Sequence, residues 1–356
     1  MKFILKRVYN YIYIMISVNK LKVTDIKHDN ELGNSRLDFK LSGPNINYII
    51  ANTIRRTIFT DIPIYAFNDF TFEKNSSIFN NTYLKLRLRH LPIWGIENTI
   101  EFIDYNIKST DPLLDDIPEE DNNDNIDNID NIELGIEKTL NISNLKQFTM
   151  YVKAKNNTTN IMTVSTKDAK FYYDEKQIES PYKTFIPIVK LQPGQEIAFS
   201  AITKIGCEHE DAMYGAACIA GYKQVTENEF DFYIESRGQI DEKRIMYIAM
   251  INIERKIRNF LKLLEEENKN KIKTEEDTLQ GLIIVNNEDH TLGNLISRGL
   301  QLHPSISFAG YNLPHPLSKK VHFHYKLEKA GNIREIIKEV VEYYSKIFSY
   351  IKKQFE

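Results

Sequence analysis

The alternation of apolar and polar positions predicts strands and amphipathic helices along most of the chain. Apolar residues recur about every 3.6 positions in the helical segments and lie in short runs between turn residues in the strands. The first series consists of strands at 21–26 and 36–41, a helix over 46–58 and a strand over 64–72. Pro44 suits the first turn of that helix, and the Asp-Ile-Pro sequence at 61–63 ends it.

The middle of the chain predicts mostly strands, and the last part begins a second series. Residues 146–222 are β-rich, and a strand at 229–235 precedes a long amphipathic helix over 245–264. We interpret the almost entirely polar segment 265–278 as a linker or a solvated helical extension. The second series consists of strands at 279–285, 307–311 and 321–327, a helix from about Thr291 and a final helix over 333–351.

The final helix carries apolar residues at alternating spacings of four and three, from Ile333 to Ile351. Such a seam is typical of a helix that packs against another helix. Ordinary packing of the helix on a sheet fits the same pattern, so both arrangements stay open.

The composition of the chain excludes several classes of protein. A length of 356 residues suggests two or three domains, and 42% hydrophobic with 27% charged residues excludes a disordered or fibrous chain. The net charge of −3 excludes a nucleic-acid binder that works by bulk charge. Two cysteines, Cys207 and Cys218, cannot build a disulfide framework and fit a reducing compartment. No run approaches the ~20 apolar residues of a membrane-spanning helix.

Two segments stand apart from the strand and helix pattern. Residues 1–17 are basic and then apolar, but Asn10 and three tyrosines interrupt the apolar run. We therefore expect an extra strand or tail, or a natural start at Met15, rather than a signal peptide. Residues 109–137 contain no Lys, Arg or His, and their Asp-Asn-Ile repeats place Ile126 where a calcium loop needs glycine. We expect a flexible, solvated insertion there.

An Asn-x-Ile-x-Arg-x-aliphatic pattern occurs at two places in the chain. Its members are Asn52, Ile54, Arg56 and Ile58, and then Asn294, Ile296, Arg298 and Leu300. Each copy lies on a predicted helix between two strands, and each half of the chain ends in a long amphipathic helix. This repetition indicates two related α/β units that pair as a pseudo-twofold dimer and bury their helix faces.

The second copy of the pattern lies in a segment that resembles the small alpha-like subunit of eukaryotic and archaeal RNA polymerases. The resemblance rests on Glu-Asp-His-Thr-Leu-Gly-Asn-Leu at 288–295, Pro304, Phe-Ala-Gly-Tyr at 308–311 and Pro-His-Pro at 314–316. The first half resembles the larger alpha-like subunit, whose bacterial counterpart is the alpha N-terminal domain. That resemblance rests on Ala-Asn-Thr-Ile-Arg-Arg at 51–56, Asp-Ile-Pro at 61–63 and Pro-Gly-Gln-Glu at 193–196. The segment 206–214 and the predicted strand and helix over 232–264 add to it.

The chain thus resembles the third and eleventh subunits of eukaryotic RNA polymerase II fused head to tail, as in large cytoplasmic DNA viruses. This implies an α+β fold of the alpha-N-terminal-domain type, with two alpha-like dimerisation units and a β-rich domain inserted in the first. The expected divisions are an extension at 1–17, a first unit formed by 18–62 and 228–264, the insertion at 63–227, a linker at 265–278 and a second, smaller unit at 279–356.

In this family the two alpha-like subunits start polymerase assembly, and the catalytic magnesium lies on the two largest subunits. The resemblance implies a non-catalytic assembly platform without a cofactor. Its partners would be the largest and second-largest polymerase subunits and other small subunits, with DNA contacted only through them. We expect no membrane contact and no homodimer. The implied location is a viral factory in the host cytoplasm or the virion, and a nuclear location stays open.

Two other functions fit parts of the sequence. The alpha-like fold could serve as a scaffold for a complex other than a polymerase. A nuclease could use the acidic stretch, but carboxylates in a low-complexity run cannot fix the geometry of a metal. The sequence has no Asp-x-Asp-x-Asp triplet and no glycine-rich phosphate loop. Since Cys207, His209 and Cys218 lack a clear fourth ligand, we predict neither a catalytic nor a metal site.

Docking of the large subunits is predicted for Asn52, Arg55, Arg56, Glu210 and Tyr214. Arg55 and Arg56 point about 100° apart on one helix, so both cannot lie in the core. Solvated arginines are the alternative to bidentate contacts with a partner. We expect Asn52, one turn earlier, to orient Arg56. In the loop with Glu210 and Tyr214, Asp211 and Met213 replace the histidine and lysine of the family's usual sequence.

Pairing within the chain is predicted for apolar residues of four helices. They are Ile54, Ile58, Ile253, Ile257, Phe260, Leu295, Leu300, Ile337, Val340, Tyr344 and Ile347. At 289–291 the sequence Asp-His-Thr opens a helix, so capping or packing by Asp289, His290 and Thr291 is expected rather than acid–base chemistry. A rigid strand-and-turn corner is predicted for Phe308, Tyr311, Pro314 and Pro316.

Overall fold

Fifteen strands and five α-helices make up the part of the chain that the structure, a computed structural model, describes. The described residues are 22–29, 35–94, 148–173, 176–182, 184–265, 272–276, 279–315 and 320–356. The segment 1–17, the acidic stretch 109–137 and Pro316 lie outside them.

The strands and helices follow one another along the chain with these bounds. The first group is β1 (Lys22–Asp29), β2 (Arg36–Ser42), α1 (Tyr48–Thr60), β3 (Ile64–Asn75), α2 (Asn81–Arg89), β4 (Phe148–Lys155), β5 (Met162–Ser165), β6 (Ala169–Tyr173), β7 (Lys176–Ile178), β8 (Pro187–Leu191) and β9 (Glu196–Gly206). The second group is β10 (Ala217–Thr226), β11 (Glu229–Ser236), α3 (Glu242–Glu265), β12 (Ile272–Glu276), β13 (Gln280–Asn286), α4 (His290–Leu302), β14 (Ile306–Asn312), β15 (Lys320–Leu327) and α5 (Ile333–Lys352).

Two four-stranded antiparallel sheets share one order of elements. The first sheet has the order β1-β2-β11-β10, and the second has the order β12-β13-β15-β14. In each series two strands precede a helix of 13 residues, α1 or α4, and two further strands precede a long helix, α3 or α5. The series differ in that β3 to β9 and α2 separate α1 from β10.

The separating segment has its own core. It contains a five-stranded sheet of order β3-β9-β4-β6-β7 and the pair β5-β8. Phe148 lies between Phe67 and Phe171, with ring centroids 6.0 and 5.7 Å away, and all three side chains are buried. The sequence pattern does not predict α2, because only Leu84 and Leu88 of this helix are buried.

Two strands lie where the sequence analysis places other features. β10 lies within the predicted insertion 63–227, but it forms a hairpin with β11 and belongs to the first sheet. β12 lies within the predicted linker 265–278 and pairs with β13 at a sheet edge. Edge strands commonly have polar, charged sequences, which explains why this one resembles a linker.

The other predicted helices and strands of both series are confirmed within a few residues. For the final helix the structure decides between the two alternatives, because α5 packs mainly against α3 and also against α4. In the described part of the chain, no helix is long and apolar enough to cross a membrane.

Gly299 sets the distance between α4 and α5. A Cβ atom at this position would lie 2.3 Å from Val340 Cγ1 and 2.8 Å from Tyr344 Cε2. We expect Gly299→Ala to lower the free energy of unfolding by at least about 1 kcal/mol, because overpacking outweighs the gain in helix propensity. Chemical denaturation followed by circular dichroism measures the change.

Gly331→Ala is the control for this prediction. The nearest heavy atom to a Cβ there is a carbonyl oxygen 3.8 Å away, so we expect a change of less than about 0.5 kcal/mol. Equal effects at Gly299 and Gly331 would contradict the role given to the α4–α5 contact.

Candidate functional site

The two element series meet through pairs of corresponding helices. α1 packs against α4, and α3 packs against α5. The residues predicted to pair are all 3% exposed or less: Ile54, Ile58, Ile253, Ile257, Phe260, Leu295, Leu300, Ile337, Val340, Tyr344 and Ile347. Contacts between like elements are the arrangement expected across a twofold axis.

Aromatic residues extend this interface from each long helix to the opposite sheet. Phe260 of α3 packs on Phe323 of β15, with ring centroids 5.6 Å apart. Phe355, which follows α5, contacts Phe39 of β2 edge-on at 5.1 Å. Such aromatic pairs contribute about 0.5–1.5 kcal/mol each beyond the area that they bury. The contacts are reciprocal, since each sheet receives an aromatic side chain from the other series.

A charge cluster lies beside the apolar contacts. Lys256 of α3 places its Nζ 3.4 Å from Glu288 Oε2, 3.8 Å from Asp289 Oδ1 and 3.9 Å from Asp61 Oδ2. Arg56 of α1 donates from Nη2 to Asp289 Oδ2 at 3.0 Å. The two basic groups come from the helices of the first series, and Glu288 and Asp289 open α4 of the second.

The same residues organise the start of α4. Asp289 is the N-cap, and its Oδ1 accepts the backbone N–H of Thr291 at 2.9 Å. The hydroxyl of Thr291 donates to Asp289 Oδ2 at 3.0 Å and accepts from Arg56 Nε at 2.8 Å. A carboxylate at a helix N-terminus is favourable to the helix dipole, so Asp289 stabilises α4 and binds Arg56 with one side chain.

Burial and charge act differently on the two acids. Burial alone would raise the pKa of Asp289, but Lys256 and the hydrogen bonds from Thr291 and Arg56 together lower it to about 2. Burial raises the pKa of Glu288 to about 7, although Lys256 opposes the rise. Burial alone would lower the pKa of Lys256, but the negative charges of Glu288, Asp61 and Asp289 raise it above the usual value.

Asn52 and Arg55 form a separate pair on α1. Asn52 Oδ1 accepts from Arg55 Nε at 3.0 Å and from Arg55 Nη2 at 2.9 Å. The prediction that Asn52 orients Arg56 is therefore wrong. The three-residue spacing brings the Asn52 side chain to Arg55, while the carboxylate of Asp289 attracts Arg56 to the interface.

The loop with Glu210 and Tyr214 packs at the end of α1. The Nδ1 of His209 lies 3.0 Å from the carbonyl oxygen of Thr60, and Glu210 is exposed. Tyr214 is only 3% exposed, and its ring lies so close to Gly206 that a Cβ there would be 2.6 Å away. This burial argues against a direct contact between the Tyr214 ring and a partner.

Arg237 and Lys256 are residues of this site that sequence reasoning missed. Arg237 Nη1 donates to the carbonyl oxygens of Gly215 at 3.0 Å and Ala212 at 3.3 Å, so it holds the loop after Glu210. The sequence contains no local signal for that contact. Lys256 could have been noticed, because it lies three residues after Ile253 on the apolar stripe of α3, where a charge needs a partner.

The remaining predicted residues are His290 and Tyr311, which meet at the start of α4, and Phe308 and Pro314 on the surface. His290 Nδ1 is 3.4 Å from the hydroxyl of Tyr311, with the two rings edge-on. Phe308 is 58% exposed and Pro314 is exposed. Among the described residues, no three His, Cys, Asp or Glu side chains come together in a way that could hold a metal ion.

Comparison with known proteins relates this geometry to a family. Residues 281–354 match the family model of the RNA polymerase Rpb3/Rpb11 dimerisation domain. The chain contains an RNA polymerase alpha-like dimerisation domain. The matched residues include α4, α5 and three strands of the second sheet, so the dimerisation domain supplies one side of the helix interface.

Three relatives are similar to this chain, and two of them match far more of it than the dimerisation domain. A protein of Acanthamoeba polyphaga mimivirus named as a DNA-directed RNA polymerase subunit is 25% identical over 347 residues, 92% of this chain and 91% of that protein. Subunit Rpo3 of Methanocaldococcus jannaschii is 27% identical over 220 residues, 60% of this chain and 84% of that subunit. Subunit RPAC2 of polymerases I and III from Caenorhabditis elegans is 37% identical over 82 residues, 23% of this chain and 57% of that subunit. The predicted alpha-like resemblance is confirmed.

The ion pair of Arg56 gives a first test of the interface. We expect Arg56→Ala to lower the free energy of unfolding by about 1 kcal/mol, since Asp289 loses a charged donor. Arg298→Ala is the matched control, because Arg298 holds the corresponding place on α4 and, among the described residues, donates to Gln301 Oε1 at 3.3 Å and to no carboxylate. We expect a change below about 0.5 kcal/mol there, and equal losses in urea denaturation would contradict the assignment.

The raised pKa of Glu288 predicts that the stability of the protein depends on pH. Its pKa of about 7 lies above the usual 4.5, so between these values the folded protein binds more protons than the unfolded chain. The contribution of Glu288 to stability is therefore complete below pH 4.5 and decreases as the pH rises to 7. Glu288→Gln should remove this slope while Lys256, Asp289, Asp61 and Arg56 remain.

The measurement is the free energy of unfolding of both proteins at several pH values between 4.5 and 8. We expect the stability of the Gln variant relative to the parent to increase across this range. A difference that stays constant with pH would show that Glu288 is ionised throughout.

Proposed function

We propose that the chain is a non-catalytic assembly platform of a multisubunit DNA-directed RNA polymerase, in which two alpha-like halves pair within one molecule. The observation that carries the proposal is the reciprocal interface, in which the two long helices pack together and each series places an aromatic side chain on the opposite sheet. The polymerase assignment is supported by the Rpb3/Rpb11 match and by relatives that are named as polymerase subunits.

The fusion of two related halves is supported by the repeated order of elements. Both helices of 13 residues carry the Asn-x-Ile-x-Arg-x-aliphatic pattern at the same helical positions. Both begin after a capping Asn or Asp, namely Asn47 and Asp289. Similarity to Rpo3 over 220 residues, besides the dimerisation domain match, supports a larger alpha-like subunit as the source of the first half.

The strand pairings lead to a revised division of the chain. The first half would comprise 18–62 and 217–264, because β10 completes its sheet. The inserted β-rich domain would comprise 63–216 and include the acidic stretch. The second half would begin at β12, near residue 272, and not at residue 279.

Docking of the largest and second-largest polymerase subunits is assigned to the outer side of α1 and the neighbouring loop. Arg55 is the main candidate, because Asn52 fixes its guanidinium while Arg56 is occupied by Asp289. A guanidinium held in this way loses little freedom on binding and can make bidentate contacts. Exposed Glu210, at the end of the same helix, is the second candidate.

The proposed setting follows from the relatives. Similarity to a mimivirus protein over 92% of the chain favours a large DNA virus and transcription in a viral factory or virion. The platform would act without a cofactor, contact DNA only through its partners and associate with further small subunits. Nucleotide addition would be the task of the two largest subunits.

Affinity purification of the tagged full chain, followed by mass spectrometry, tests the proposal. We expect two subunits above 100 kDa, each equimolar with one copy of this chain, and RNA synthesis that depends on a template. We expect Arg55→Ala to reduce recovery of the large subunits severalfold without changing the fold. Arg258→Ala, whose side chain is 64% exposed on α3, should retain them.

Absence of the large subunits from the parent purification would contradict the polymerase assignment. It would favour an alpha-like scaffold in another complex. Equal recovery with both arginine variants would contradict only the role of Arg55.

A further inference from the structure

Helix α2 presents a face for which the described fold provides no cover. The helix is anchored by Leu84 and Leu88, and its other apolar residues point outward. Tyr83 is 45% exposed and Leu86 is 56% exposed, while Ile78 just before the helix is 71% exposed. Exposed large apolar residues this close together indicate an interaction surface rather than ordinary solvent exposure.

The helix also carries the basic residues Lys85, Arg87 and Arg89. Arg89 Nη1 lies 3.9 Å from Asp211 Oδ2, and Arg87 Nη2 donates to the carbonyl oxygen of Pro187 at 3.4 Å. A groove of about 540 Å³ runs beside the helix, and its lining includes Asn68, Tyr83, Lys85, Leu86 and Arg89. A ligand for this groove needs negative charge and apolar groups together.

One segment of the chain has this combination. Residues 109–137 contain eleven Asp and Glu and no Lys, Arg or His, with Ile and Leu spaced between the acids. Since the whole chain has a net charge of −3 and this segment −11, the remaining residues carry +8. The acidic stretch therefore offsets a positive charge that the rest of the chain carries, and Lys85 and Arg87 are part of that charge.

We propose that the groove along α2 binds the acidic stretch 109–137 of the same chain. The isoleucines of the Asp-Asn-Ile repeat would contact Tyr83 and Leu86, and the aspartates would pair with Lys85 and Arg89, the basic residues that line the groove. This inference does not depend on the proposed polymerase function, because it concerns contacts within the inserted domain.

Chain length allows this contact and favours it over a second molecule. The last described residue before the stretch is Trp94, five positions after α2 ends, and fifteen residues can span up to about 50 Å. A segment tethered so close to its site has an effective concentration in the millimolar range. Weak, screened ion pairs suffice for binding at such a concentration.

Carbodiimide cross-linking of the full chain tests the proposal, because it joins a lysine only to a carboxylate in contact with it. Mass spectrometry should find Lys85 joined to Asp or Glu residues of 109–137 within one molecule. Lys153 and Lys155, which are exposed on β4, should give these products severalfold less often. The yield at Lys85 should fall severalfold between about 0.05 and 0.5 M salt, as the Debye length shrinks.

A pair of matched variants separates a specific contact from bulk charge. Leu86→Ser with Arg89→Glu retains Lys85 but removes an apolar and a basic group from the lining of the groove, so the Lys85 product should fall severalfold. Val225→Ser with Lys223→Glu makes the same change in charge and hydrophobicity on exposed residues of β10 and should leave the yield unchanged.

Three results would overturn the proposal. Lys85 could react with 109–137 no more than Lys153 does. Both double variants could lower the yield equally, which would indicate bulk charge. The products could also join two molecules and increase with protein concentration, in which case the groove binds a second copy.

Discussion

The packing of α3 against α5 is the interaction on which the described structure depends. Each helix buries its apolar stripe on a helix of the other series, and each carries an aromatic contact to the opposite sheet. Burial of an Ile or Phe side chain contributes about 1.5–3 kcal/mol, whereas a partly exposed ion pair contributes about 1 kcal/mol or less. The apolar surface therefore supplies most of the strength of the interface. The charge cluster around Lys256 supplies its selectivity.

That selectivity comes from one difference between two similar helices. Arg56 and Arg298 both lie eight residues after the start of a helix, but α1 begins after Asn47, whereas α4 begins after Asp289. Arg56 meets the carboxylate of Asp289 across the interface, while Arg298 donates to the uncharged amide of Gln301 on its own helix. Two copies of the first helix pair would lack the carboxylate, so the contact favours unlike over like pairing.

Sequence patterns predicted the parts of the fold that depend on local periodicity. Both 13-residue helices and both long helices were predicted, because their apolar stripes are strong and their caps are local signals. β12 was missed, since a polar edge strand exists only through its pairing with β13. The site was harder to predict, because Asp289, the partner of Arg56, lies 233 residues away in the sequence. With Arg56 held by Asp289, Asn52 binds Arg55, and the helical spacing alone does not distinguish between the two arginines. The resemblance identified the interface, but only coordinates could assign its contacts.

The strand β12 also changes what the connection between the halves can do. A linker over 265–278 would let the second half reach any surface within about 45 Å. Because β12 begins at residue 272, only six residues separate it from α3. The end of α3 and the start of β12 can therefore lie at most about 25 Å apart. The second sheet must therefore begin near the end of the helix that it helps to bury. The short connection therefore favours packing of the two series within one chain, because a nearby partner has a much higher effective concentration than one in solution.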